Sequence, residues 1–301
     1  MTAITAGTAP SHIRSDRLRR AAQRRRILES VGATGLGLFL IAWTLFPFYN
    51  IFMVSIEGHN DVFSSHVWPA HPTLHEYWVV VTQSYWYLNY FWRQYGRSVL
   101  LAGSVTGLTL LIGSLTSYVI GRMRIRHGWV ISNAALLTYV IPASFLAIPF
   151  YRLAQDYGMM NHLVAPVAAL VTFATPYAIF IFQNYGASIP IELDEAARID
   201  GASPVQIYLR IYMPLMAPAL VAVGTYAMLV AWNDYLYQFL LLSSKASMTV
   251  PVALAQFLNS DEAPWNLMMA TAIVYAVPPI ATYYVFRKRM TAGLTLGGVK
   301  G

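Results

Sequence analysis

The sequence predicts an all-α integral membrane protein with six transmembrane helices, and three observations carry that prediction. Of 301 residues, 57% are hydrophobic and only 11% are charged, against about 25% charged in soluble domains. Too few charges remain to coat a water-facing surface of this size. Six windows are almost free of Asp, Glu, Lys and Arg, each reaching the roughly 20 residues that cross a hydrocarbon core of about 30 Å. The 20 Lys and Arg residues also gather in alternate segments between these windows. A single buried core helix would explain one such window. Six of them cannot all be hidden in one soluble core of 33.6 kDa, whereas helices in lipid satisfy their own backbone.

The first window, 30–56, is uncharged and yields a span at about 33–54. It is too long for a signal-peptide core, lacks a small-residue cleavage site and follows a polar lead, so it reads as a retained span. The second and third windows, 98–121 and 127–151, yield spans at about 98–120 and 129–151. The fourth lies within 157–191, with a span at about 163–183. The fifth starts near Ile211, meets its first charge at Asp234, and gives a span at about 214–240. The sixth, 263–286, gives a span at about 265–286. Pro47, Pro142, Pro149, Pro166, Pro176, Pro278 and Pro279 punctuate these runs. Neighbouring helices in a bundle can satisfy the carbonyls that proline frees. The chain thus divides into an N-terminal segment 1–29, a six-span membrane domain 30–286 and a tail 287–301.

Lys and Arg set the orientation, because inside loops carry the excess of positive charge. With both termini inside, the inside segments hold sixteen of these residues and the outside segments only Arg93, Arg97, Arg152 and Lys245. The net charge of +7 is therefore a membrane-orientation signal, and nucleic acid binding is not needed to explain it. The Arg-rich lead reads as a short helix over 16–28 on the anionic leaflet, with a regulatory arm as the alternative. Residues 57–97 form the longest outside loop, and its Trp and Tyr residues suit the membrane interface. His59, His66, His71 and His75 fall there too, but Pro69 and Pro72 interrupt the stretch and neither a continuous helix nor strand alternation gathers them, so they are not read as metal ligands. There are no cysteines, which excludes disulfides, thiolate metal sites and cysteine nucleophiles.

Chemistry inside the spans is sparse. Asp234, next to Asn233, is the single acidic residue within an apolar run, and an intramembrane carboxylate is a functional candidate by default. Two readings stand: these two residues hydrogen-bond a solute, or Asp234 pairs locally at a helix end. No other ionisable relay group lies deep in a span. That argues against an ion-driven secondary carrier, and the lack of a second catalytic group argues against an intramembrane enzyme.

The inside segment between the fourth and fifth windows, 184–214, is more informative. It reads as two short helices joined by a tight turn. Pro190 suits the first helical turn, and Glu192, Asp194 and Glu195 lie at the positive end of the helix dipole. Gly201 suits the left-handed residue at the helix end. Ser203 caps the next helix with Pro204 in its first position and Gln206 completing a capping box, and Pro214 stops it. Ile191, Ala196, Ala197, Ile199, Val205 and Ile207 need a partner surface, either the chain's own bundle or another protein.

The pattern Glu195-Ala196-Ala197, then Asp200-Gly201, then Ile211 and Pro214, resembles the EAA loop of bacterial ABC importer permeases, with Met213 where that family usually has Leu. Tyr118-Val-Ile-Gly-Arg122, Asp200-Gly-Ala-Ser203 and Trp232-Asn-Asp234 are similar to the sugar-permease branch. The ending Gly293-Leu-Thr-Leu-Gly-Gly298-Val-Lys300-Gly301 is similar to the tail of maltose-permease G subunits. The resemblance covers most of 98–301 and implies a type I ABC importer permease fold in a bacterial cytoplasmic (inner) membrane, with both termini cytoplasmic. It implies a sugar importer built from this chain, a second homologous permease, a cytoplasmic ATPase dimer and an extracytoplasmic solute-binding protein. In that arrangement Glu195, Ala196, Ala197, Asp200, Gly201, Ile211 and Pro214 couple to the ATPase, and Gly293, Gly298, Lys300 and Gly301 lie near it. ATP and Mg are expected on that partner, because this chain has no phosphate-cradling Gly-x-x-x-x-Gly-Lys-Ser/Thr motif. Near-neutral spans suit an uncharged solute such as a sugar; a permease for glycerol phosphate or a polyamine remains the alternative.

Overall fold

The computed structural model describes residues 11–58, 67–123, 125–259 and 263–296, and among these every regular element is helical. The chain opens with α1, Ser11–Ser55. The expected surface helix over 16–28 is not a separate element: its backbone runs without a break into the first span. A short α2, His75–Thr82, leads through a turn to the long α3, Phe91–Arg122. Then follow α4, Gly128–Leu137, and α5, Ala147–Asp156, and the 23-residue α6, Val164–Gly186. The 184–214 segment carries α7, Glu192–Ile199, and α8, Pro204–Ile207. A five-residue π-helical stretch, Tyr208–Tyr212, joins α8 to α9, Met213–Leu215. The bundle is completed by α10, Ala217–Asn233, and α11, Leu236–Leu241. The last elements are α12, Val250–Ala255, and α13, Trp265–Leu296.

Four of these helices are long and apolar enough to cross a membrane, and two bent pairs raise the number to six if each pair is one span. Both bent pairs depart from the continuous spans expected at 129–151 and 214–240. In the first, the 128–140 and 143–156 halves meet at 91°. The cause is local: Pro142 disfavours helical backbone in the residue before it, and Ile141 is accordingly extended (φ −88°, ψ 116°). In the second, the halves on either side of Met216 meet at 78°. Pro214 does not stop a helix as expected; it lies in the first turn of α9. The extra residue is absorbed by the π-helical stretch before it, a usual site for such a bulge. The span expected to reach 240 ends instead at Asn233, where Asp234 turns to extended backbone (φ −65°, ψ 130°). The sixth helix continues past the expected 286 to Leu296. By contrast Pro47, Pro176, Pro278 and Pro279 all lie inside unbroken helices.

The centre of the bundle is α3 packed on α6, with α10 against both. Small residues allow the approach. A Cβ added to Gly113 would lie 2.8 Å from the Ala178 Cβ and 3.2 Å from the Phe182 ring, so glycine sets the α3–α6 separation in the way small residues do between membrane helices. Ala169, Ala174 and Ala178 on α6 are fully buried. α1 is the exception: only 6% of its apolar window is buried, and it packs chiefly on α13.

The end of the bundle opposite the 184–214 loop is held by a polar hub. Asn161, in the left-handed region at φ 65°, places its carbonyl Oδ1 to accept from the Ser243 and Ser244 backbone N–H groups at 2.8 and 3.0 Å and from the Ser247 hydroxyl at 2.8 Å. The Arg97 guanidinium donates to the Ser247 carbonyl at 2.7 Å, and Gln94 donates to the Lys245 carbonyl at 3.0 Å. Side chains of α3 thereby satisfy backbone carbonyls of the 243–247 loop, which is exposed at Ser243–Lys245 and buried at Ser247.

Candidate functional site

The 184–214 loop folds much as its punctuation predicts. Gly201 has φ +84°, the left-handed backbone for which glycine is suited. Ser203 accepts from the Gln206 N–H at 3.3 Å while the Gln206 side chain accepts from the Ser203 N–H at 2.7 Å, a complete capping box. Glu192, Asp194 and Glu195 all lie in the first turn of α7. Pro190 does not: α7 opens at Glu192, so the proline precedes the helix instead of occupying its first turn.

What holds this loop to the bundle is a set of side chains that sequence reasoning mostly missed. Asp194 is 1% exposed, and its carboxylate lies 3.7 Å from the Arg122 Nε, an ion pair too long to be a hydrogen bond. The Arg122 guanidinium also donates to the Gly186 and Ile189 carbonyls at 3.2 and 2.8 Å and sits over the Tyr212 ring at 5.7 Å. The last residue of α3 is thus bound to the end of α6, to the connecting turn and to α7 at once. One turn earlier, the Tyr118 hydroxyl donates to the Pro204 carbonyl at 3.0 Å. Ser114 and Ser117 on the same helix pair with the Tyr208 and Tyr212 hydroxyls at 2.7 and 3.1 Å. Tyr118, Tyr208 and Tyr212 pack their rings at 5.1–6.2 Å between centroids. Beneath them, a Cβ on Gly186 would lie 2.7 Å from the Tyr212 hydroxyl, so that ring closes directly on the end of α6.

The apolar residues of the loop divide between two surfaces. Ala197 and Ile207 are buried in the bundle with Tyr208, Tyr212 and Met216. Ile199 and Val205 are 87% and 65% exposed, and Leu193 and Leu209 are exposed on the same loop. Glu195, Ala196, Asp200 and Gly201 are also exposed, Ile211 is half-buried, and Pro214 is exposed. Gly293 lies near the end of α13, whereas Gly298, Lys300 and Gly301 lie outside the described residues. The Asp194–Arg122 pair carried only a partial signal, the i, i+4 spacing of Tyr118 and Arg122 on one helix face. The matching i, i+4 pair Tyr208 and Tyr212 would have completed it.

Asn233 and Asp234 are brought together at the end of α10, where Asn233 is exposed. Asp234 makes a local contact: its Oδ2 accepts from the Gln238 N–H at 3.2 Å, in the first turn of α11. The Gln238 side chain in turn donates to the carbonyls of Ala231 and Asp234, so the break between α10 and α11 is closed by its own side chains. His59 and His66 lie outside the described residues. Among the described residues no group of three or more His, Cys, Asp or Glu could hold a metal ion.

The described residues thus form a helical membrane bundle with short helices braced across one end and apolar side chains left bare on them. Residues 110–294 match the family described as "Binding-protein-dependent transport system inner membrane component". The chain belongs to that family, and it is a multi-pass inner-membrane permease subunit with no catalytic role of its own. It is 33% identical to the "Inner membrane ABC transporter permease protein YcjP" of Escherichia coli (strain K12), over 93% of this chain and 100% of that one. It is 30% identical to the "Trehalose transport system permease protein SugB" of Mycobacterium tuberculosis (strain CDC 1551 / Oshkosh), over 88% of this chain and 96% of that one. Its fold matches a chain of a bacterial ABC transporter involved in the import of the acidic polysaccharide alginate. The TM-score there is 0.74 with 24% identity, covering 87% of this chain and 96% of that chain.

Proposed function

We propose that this chain is one of two permease subunits of an ABC importer that carries a sugar into the cytoplasm, driven by a separate ATPase that binds ATP and Mg. The carrying observation is the division of the 184–214 loop into two surfaces. Ala197 and Ile207 face the bundle while Ile199 and Val205 are left bare, which suits a lever clamped to the spans and docked on another protein. Both termini and this loop lie on the cytoplasmic side in this reading, in line with sixteen of the 20 Lys and Arg residues. The sugar class is supported by the relatives named for trehalose and arabinooligosaccharides and by spans without charge. A second permease is supported by the bare apolar window of α1.

The lever is tested at Gly201. No atom lies within 4 Å of a Cβ added there, so only the φ of +84° opposes a side chain. Gly201→Val is expected to tilt α7 against α8 and abolish uptake of labelled trehalose and maltose, with normal amounts of chain in the membrane. Normal uptake together with normal stimulation of ATP hydrolysis by the loaded binding protein would rule out the lever.

A further inference from the structure

We propose that Tyr139, Tyr177 and Tyr226 form a sugar-contacting surface at mid-depth in the membrane, at the exposed break between α4 and α5. The inference rests on the sugar-import reading above and assigns it a site on this chain.

Depth comes first. At about 1.5 Å rise per residue, the ten residues of α4 reach about 15 Å, half of the roughly 30 Å core. Tyr139 follows that helix in the turn Thr138–Val140. Tyr177 lies nine positions before Gly186, the end of α6, and Tyr226 nine positions after Ala217, the start of α10. Each is therefore about 14 Å from the same end of the bundle. Three separate elements bring a phenol to one level.

The backbone beside them cannot face lipid. Between Leu137 and Ala147 the helix gives way to two short turns around the extended Ile141. Non-helical backbone at membrane depth is tolerated only where it is buried in protein or lines a water-filled cavity. Its own chain covers it only in part: the Tyr237 hydroxyl donates to the Ala143 carbonyl at 2.6 Å, while Val140 is 75% exposed and Phe145 73%. Broken helices at mid-depth are also where membrane transporters build binding sites.

The chemistry selects the ligand. The Tyr177 and Tyr226 rings lie 4.2 Å apart between centroids, and both are half-buried. The Tyr139 hydroxyl donates to the Phe173 carbonyl at 2.8 Å, and Tyr139 also interacts with the Tyr226 side chain. Each phenol offers a flat apolar face and a hydroxyl that both donates and accepts. No Asp, Glu, Lys or Arg occurs in 128–151, 164–186 or 217–233. Aromatic faces with neutral hydroxyls and no charge fit an uncharged polyhydroxylated ring, and they disfavour a phosphate ester or a polyamine, whose charge would have no counter-ion there.

The test uses the complete importer in proteoliposomes, with labelled trehalose, maltose and an arabinose oligomer as probes and rates normalised to assembled complex. Tyr177→Phe and Tyr226→Phe keep each ring and remove its hydroxyl. Each is expected to lower uptake of at least one sugar roughly 3- to 10-fold, the size of one hydrogen bond, and to reorder the three. ATP hydrolysis stimulated by the loaded binding protein should stay within about two-fold of the parent, a pattern that loss of packing alone would not give. In a chain without cysteine, Val140→Cys should react with a small hydrophilic thiol reagent, and sugar should slow that reaction. An unchanged order in both Phe variants, or an unreactive Val140→Cys covered by the second permease, overturns the site. A parent importer that moves none of the three sugars counts against the sugar reading itself, while the thiol reaction still reports whether the break faces water.

Discussion

The two bent helix pairs make similar turns and are built in opposite ways. At Met216 the bend of 78° has a buried inner side, while Pro214, Leu215 and Ala217 on its outer side are exposed. Met216 is fully buried, and its N–H still reaches the Tyr212 carbonyl at 2.9 Å while its carbonyl accepts from the Leu220 N–H at 2.9 Å. Hydrogen bonding runs through the corner, and a hydrophobic cluster from α3, α6 and α7 closes around it. At the 91° break, Pro142 brings no N–H, the chain bridges the gap with two turn bonds and the Tyr237 hydroxyl on the Ala143 carbonyl, and Val140, Ile141 and Phe145 are exposed. The first corner is a finished part of this subunit. The second leaves apolar side chains that this chain does not cover.

That contrast can be broken or sharpened in three ways. The largest effect is expected at the brace beside the closed corner. Arg122→Ala removes the ion-pair partner of a buried carboxylate, a change that costs about 3–5 kcal/mol when one charge is left uncompensated. The expected result is a large fall in the thermal stability of the purified importer. A midpoint unchanged from the parent would show that Asp194 is not held by Arg122. The next comparison is direct. Met216→Ala should cost about 2–5 kcal/mol, as in a filled core, whereas Val140→Ala at the open break should lie within about 0.5 kcal/mol, as at an exposed site. Thermal scanning of the two variants of the isolated subunit decides it, and equal losses would mean the break is already covered within this chain. The smallest effect is expected at Ser203→Ala. Losing the capping-box acceptor should cost about 1 kcal/mol and fray α8 without moving either corner, seen as faster amide exchange confined to 203–208. Exchange spreading to Met216 would mean that the cap supports the corner as well.

The sequence made the loop's local structure legible, because each device there acts over three or four residues. Ser203 and Gln206 cap each other, and Gly201 takes the backbone that its missing Cβ permits. The corners were not legible in the same way. Proline alone does not mark a break: Pro176 sits inside an unbroken α6 while Pro142 ends a helix, and the difference is whether neighbouring helices support the freed carbonyls. The Asp194–Arg122 pair joins residues 72 positions apart, and in sequence Asp194 was indistinguishable from the dipole-stabilising Glu192 and Glu195 beside it. Its burial, which decides its role, goes with the Arg122 side chain that the fold brings beside it from the end of α3. The tyrosines at mid-depth were hidden for the same reason, since a shared level arises only once three separate helices are set side by side.

The position of Arg122 also limits how such permeases can be recombined. One side chain at the end of α3 answers to carbonyls at 186 and 189 and to a carboxylate at 194, so the loop has its anchor in a part of the chain some sixty residues upstream. A chimera that exchanges 184–214 alone, to redirect the permease to a foreign motor, would keep the anchor of one parent and the moorings of the other. The natural unit of exchange joins that loop to the last three turns of α3, including Ser114, Ser117, Tyr118 and Arg122. Domain-swap designs drawn along the linear sequence would cut through it.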